Sequence, residues 1–214
     1  MIPSGARAAA AAALSAPVLL LSGCGSSAPA AAPRAPGPTG DAAAQRGLAR
    51  ALLTSAEMPL GFERQDGSGA ASAIGCAGID RLYLATGTAA RATVSFAHVV
   101  SDAFVNETVS TAADAGAASA GVEAFRRAAT DCRTFAGAQN MSYRVTALAF
   151  PRLGDGSAAL RVSGGVRESR PVDLVAVRVG PTVVVIANAN SGRVDTDLTR
   201  TVVARAVEKV RRAG

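Results

Sequence analysis

The sequence predicts an α+β domain, an antiparallel sheet of about five to six strands with helices packed on it. Three observations lead there. From Ser142 to Ala189 the apolar residues recur with period two, in segments separated by short turns, and strands joined by tight turns pair antiparallel. Helical periodicity replaces this pattern at Ala42–Ser55, Asp114–Thr134 and Thr196–Arg212. The 214 residues are 49% apolar and 18% charged, enough to bury the core of one domain.

Each element has a local reason. Ala42–Ser55 places Leu48, Leu52 and Leu53 on one helical face, and Pro59 closes the segment that follows. Gln65–Gly78, rich in Gly, Ser and Ala, reads as a loop, and Ile79–Ala85 as a short strand. Arg91–His98 alternates Ala92, Val94 and Phe96 with Thr93, Ser95 and Ala97, and Phe104–Thr111 reads as the next strand. Asp114–Thr134 aligns Val122, Phe125 and Ala129. Strands follow at Ser142–Phe150, Ser157–Ser163, Val172–Val179 and Thr182–Ala189, the last two joined through Gly180-Pro181. In the final helix Asp195 is placed to cap the start, Asp197 lies in the first turn, and Lys209, Arg211 and Arg212 lie in the last. Val172–Ala189 is apolar on both faces. Either the second face is also covered, or it floors an apolar cleft.

Residues 1–23 have the layout of an export signal: Arg7 ahead of an apolar run, Ala8–Leu20, too short to span a bilayer as an ordinary helix. The run ends in Leu21-Ser22-Gly23-Cys24, which resembles a bacterial lipobox. Cys24 is then the lipidated first residue of the mature protein, on a thioether-linked diacylglyceryl group. Residues 24–40, with Pro29, Pro33, Pro36 and Pro38, read as a flexible linker, and 41–214 as the extracytoplasmic domain. The expected location is the outer face of the cell membrane, held by the lipid.

Export also explains the other cysteines. Cys76 and Cys132 are the pair left in an oxidising compartment, and a disulfide between them follows. They are too far apart for a CxxC site, and the single histidine cannot complete a zinc set, so no metal and no cofactor is expected. The formal charge is +6, yet the arginines are scattered. Only Lys209 among the 22 basic residues is a lysine, as in Ala- and Gly-rich chains of GC-rich genomes. With 4% aromatics and no basic stripe, nucleic acid is not an expected partner.

Several segments together resemble the PknH-like extracellular (sensor) domain family. They are Leu52-Leu53-Thr54-Ser55-Ala56-Glu57-Met58-Pro59-Leu60-Gly61-Phe62, Arg91–Phe96, the helix ending in Asp131-Cys132, Leu153–Arg161, and Val175–Gly180 with Val183–Val185. The resemblance spans residues 45–212. It implies an antiparallel sheet flanked by helices, a cleft for a ligand, and no catalysis. Kinase-linked members carry two disulfides where this chain can form one. No Gly-rich loop, HRD or DFG is present, so the resemblance is to a stand-alone lipoprotein member.

Individual residues sharpen this expectation. Arg144, Arg161 and Arg178 each lie within an expected strand and would hold an anionic headgroup if register brought them onto one face. Otherwise they are solvated arginines with stems over apolar surface. Asp155, between two glycines, is a ligand carboxylate or a turn residue. His98, with Asp102 nearby, is a general base or a capping histidine. There is no GxSxG elbow, and no Ser three residues before Lys209. The sequons at Asn106 and Asn140 carry no meaning behind a bacterial lipobox. The expected function is a non-enzymatic, membrane-anchored domain binding an amphipathic or anionic envelope molecule, against Val172–Ala189 and Arg161 or Arg178. The alternative is a protein-interaction lipoprotein without a small-molecule site.

Overall fold

The computed structural model describes residues 40–66, 73–137, 141–164 and 171–213. The signal segment, Cys24, most of the linker and the Asn140 sequon position lie outside them. The elements are α1 (Gly40–Ala51), β1 (Phe62–Arg64), α2 (Ala77–Tyr83), β2 (Ala90–His98), β3 (Phe104–Thr111), α3 (Ala115–Asp131), β4 (Thr134–Ala136), β5 (Ser142–Ala147), β6 (Gly156–Gly164), β7 (Val172–Val179), β8 (Thr182–Ala189) and α4 (Thr196–Ala213). The fold is α+β, as expected. The antiparallel sheet has eight strands rather than five or six, in the order β1-β2-β3-β8-β7-β6-β5-β4. The two strands without a sequence signal, β1 and β4, are the three-residue edges, too short to show a period.

The doubly apolar strands are resolved by coverage on both faces. Val175, Val177, Val184 and Ile186 point into a core closed by α1 and α4, with Leu53, Val202, Val203 and Ala206. Leu174, Ala176, Val183 and Val185 point into a second core closed by α2 and α3, with Ile79, Leu82, Val122 and Phe125. The apolar cleft floored by Val172–Ala189 is therefore not formed: the interior residues of both strands are buried, so nothing can dock against them.

Ile79–Ala85 is a correction as well. It lies in and just beyond α2, not in a strand. Ile79 and Leu82 stand one helical turn apart and bury together against α3. The Asp80 carboxylate accepts N–H bonds from Ile74 (2.8 Å) and Gly75 (3.0 Å), fixing the entry to the helix. The two helices approach closely at Gly78, where a Cβ would sit 2.8 Å from the Ala124 carbonyl oxygen. Cys76, just before α2, is bonded to Cys132 at the end of α3, with their Cα atoms 6.0 Å apart.

On the α1/α4 face a carboxylate lies within the apolar core. Glu107, in the middle of β3, is fully buried. Its Oε2 accepts the Leu53 N–H at 2.7 Å, just beyond the end of α1, while Oε1 has no partner. Burial pushes its pKa up to about 7, against the opposing Leu53 hydrogen bond and the nearby Lys209 charge. A raised carboxyl pKa means the folded state holds the proton more tightly than the unfolded state. Its penalty is absent at low pH, grows as pH rises from about 4.5 to about 7, and is constant above that. A shift of this size corresponds to roughly 3 kcal/mol. Urea denaturation at pH 5 and pH 8 should show Glu107→Gln gaining stability over the wild type mainly at pH 8. Equal differences at both pH values would refute the assignment.

Candidate functional site

Register places Arg144 and Arg161 on the α4 face of the sheet, because Arg144 pairs with Ser163 and Arg161 with Thr146. Arg178 pairs with Val183 and lies on the opposite, α3 face. The three guanidinium groups therefore form no common fork. Arg178 reaches the Asp155 carbonyl oxygen (3.0 Å) and the Asp155 carboxylate (3.5 Å). Asp155 also accepts the Gly180 N–H at 2.7 Å. Asp155 thus ties its own turn to the β7–β8 turn. Arg144 is exposed on β5.

Arg161 lies in a polar row crossing the sheet beneath the start of α4. Asn188 pairs with Asp173, and Asp173 with Arg161. Asp173 is fully buried. Its carboxylate is bound in a fork by Arg161 (Nε 2.7 Å, Nη2 3.0 Å) and accepts the Thr196 hydroxyl at 3.0 Å. Asn188 donates to the Thr199 hydroxyl (2.9 Å) and the Asp195 carbonyl (3.0 Å). The hydrogen bonds from Arg161 to Asp173 hold the guanidinium charge more firmly than usual. Asp195 caps α4 as expected, accepting the Asp197 and Leu198 N–H groups at 2.9 and 3.0 Å.

Above this row opens a cleft of ≈740 Å³ lined by Arg161, Arg193, Val194, Asp195, Thr196, Asp197 and Arg200. Arg200 is paired with Asp197 at 2.7 Å, and Arg193 is exposed. On the other side of Asp195 lies a smaller, more apolar pocket of ≈290 Å³, lined in part by Leu60, Phe62, His98, Ala103 and Leu198. Both hollows share Asp195, so an arginine-lined cleft and a more apolar pocket adjoin. A third hollow of ≈700 Å³ lies beside Arg126, Phe150 and Arg152, where Arg126 is already bonded to Glu123 and the Ser157 carbonyl.

His98 acts as a capping residue. Its Nδ1 accepts N–H bonds from Val100 (3.2 Å) and Ser101 (3.1 Å), and its ring meets Phe62 edge-on at 5.1 Å. No group of three or more His, Cys, Asp or Glu positioned for a metal occurs among the described residues. Nor is any described helix long and apolar enough to cross a membrane.

Arg193 and Arg200 were missed by reasoning from strands, although the signal was present. They bracket Asp195, Thr196 and Asp197 within eight residues, around a helix start. The apolar pocket was not readable, because Leu60, His98 and Leu198 meet only through tertiary packing.

An eight-stranded antiparallel sheet between two helix pairs, with an open cleft at the start of the last helix, defines an α+β domain of one sheet covered on both faces. The chain has the fold of the extracellular domain of PknH from Mycobacterium tuberculosis. The two align with a TM-score of 0.59 at 16% identity, covering 78% of this chain and 96% of that one. An uncharacterized protein from Mycobacterium smegmatis, the Rv0999 ortholog, aligns with a TM-score of 0.48 at 12% identity over 77% of this chain and 96% of that one. No protein-family model and no curated protein matches the sequence.

The Asp173–Arg161 pair should be costly to break from either side. Arg161→Ala leaves a buried carboxylate short of its partner and is expected to cost about 3–5 kcal/mol in urea unfolding. An Arg161→Met/Asp173→Leu double variant should recover most of that loss. A cost under 1 kcal/mol for Arg161→Ala would show that the fork contributes little.

Proposed function

We propose that this protein is a lipoprotein tethered at Cys24 to the outer face of the cell membrane, whose domain binds an amphipathic anion without transforming it. The observation carrying the ligand reading is the adjoining of the arginine-lined cleft and the apolar pocket at Asp195. The anionic head sits among Arg193, Arg200 and the outer edge of Arg161, where guanidinium groups recognise phosphate or carboxylate oxygens. The apolar part enters between Phe62, Ala103 and Leu198. Asp195 does not repel the head strongly, because its carboxylate already faces the amide groups of α4. His98 is given no catalytic part, since its Nδ1 lone pair holds a turn. The tether rests on Leu21-Ser22-Gly23-Cys24 and on the Pro-rich linker after it.

Calorimetric titration with a lysophosphatidylglycerol below its micellar concentration tests the ligand reading. Arg193→Ala/Arg200→Ala should weaken binding at least about tenfold, since two charge-assisted contacts are lost, with an unchanged melting temperature. Glycerol phosphate alone should bind far more weakly. Equal affinity for head and whole amphiphile would remove the apolar half of the proposal. The tether is tested separately. Cys24→Ala, expressed in the native host, should leave the membrane fraction and lack the diacylglyceryl mass; retention in the membrane would contradict it.

A further inference from the structure

The large hydrophobic side chains exposed among the described residues are Leu60 (99%), Val99 (58%) and Val100 (88%). They lie together on two turns at the β1 end of the sheet. The Val99 N–H donates to the Gly61 carbonyl at 2.9 Å, joining the turn that carries Leu60 to the turn that carries the valines. Both turns are built rigidly. Gly61 has φ +90°, and a Cβ there would lie 2.5 Å from His98 Nε2, so the imidazole packs directly on the glycine. The same ring accepts the Val100 and Ser101 N–H groups through Nδ1. The aliphatic groups are thus held outward by the fold.

We infer that this apolar tip is a membrane-docking element that inserts shallowly into an anionic bilayer. The inference rests on the extracytoplasmic, tethered reading above. Three features favour a lipid surface. A tip of two turns is much smaller than the roughly 800 Å² per partner of a specific protein interface, whereas shallow insertion needs only a few aliphatic groups. The groove beside Leu60 is lined by Arg205 and Arg212 from α4. The same groove holds Glu208, paired with Arg212, and Glu57, paired with Lys209, while the exposed Arg205 bonds only the neutral Glu57 carbonyl oxygen, at 2.6 Å, among the described hydrogen bonds. Asp102 is a further acidic group at the tip; it accepts the Ser191 hydroxyl. The chain as a whole carries +6. Finally, the linker ends at a lipobox cysteine only 16 positions before Gly40, so a tethered domain samples the bilayer at high effective concentration and weak insertion suffices.

The experiment uses the chain from Gly25 onward, which carries no acyl group, so its outcome does not depend on lipidation at Cys24. Co-sedimentation with vesicles of phosphatidylglycerol and phosphatidylethanolamine in equal parts should exceed that with phosphatidylcholine vesicles. Val99→Ser/Val100→Ser should weaken it about tenfold; neither valine lines the amphiphile pocket, so lysophosphatidylglycerol affinity should be unchanged. A polarity-sensitive dye on Val100→Cys should shift to the blue on adding the vesicles. The inference is overturned if the wild type stays in solution, if the double variant sediments equally, if the dye does not respond, or if sedimentation velocity shows that the tip pairs two copies. Loss of amphiphile binding in the arginine variant with vesicle binding intact would refute the ligand site alone.

Discussion

A hairpin that is apolar on both sides cannot remain half solvated, and the architecture follows from this constraint. β7 and β8 expose valine, leucine and isoleucine to both faces, so each face must be covered. Two helix pairs supply the cover, and they are offset. α1 and α4 lie over β2, β3, β8 and β7, while α3 lies over β8, β7, β6 and β5. The offset leaves the sheet open beyond the start of α4, where the arginine-lined cleft forms. The proposed binding surface is thus at a margin of the cover, and the middle of the sheet is closed.

Two buried carboxylates on the α4 face illustrate opposite solutions to the same cost. Asp173 is forked by a guanidinium and further bonded by a threonine hydroxyl, which together fix the start of α4 on the sheet. Glu107 has a single amide donor and one bare oxygen, in the core on which the α1 and α4 layer rests. Lys209, near enough to act on Glu107 through its charge, is paired with Glu57 in the turn after α1. That turn leads directly into the segment carrying Leu60.

Much of the fold was legible in the chain. β7, β8 and the start of α4 are bounded as their apolar periods and turn residues indicate, because each is long and regular. α2 was misread because Ile79, Leu82 and Leu84 suit a short strand as well as one and a half helical turns; only packing against α3 decides between them. The pairing of Cys76 with Cys132 was readable from their count and from the expected export. The site was less accessible. Each strand arginine could be named, but which face it lay on, and that Asp173 and Asp155 would engage Arg161 and Arg178, depended on register between distant strands. A residue such as Val100 carries no sign in sequence that it will be left outside.

The cross-link between Cys76 and Cys132 lies wholly on the α2/α3 side. The cleft at α4 and the apolar turns at β1 belong to the other side of the sheet. Covalent reinforcement is thereby segregated from the surfaces proposed for recognition. A reductant would slacken the α2/α3 layer first, while the α1/α4 layer stays supported by its own apolar contacts and by the Asp173 fork. The molecule has a stapled back and an unstapled front, whose side chains can shift without straining a sulfur bridge.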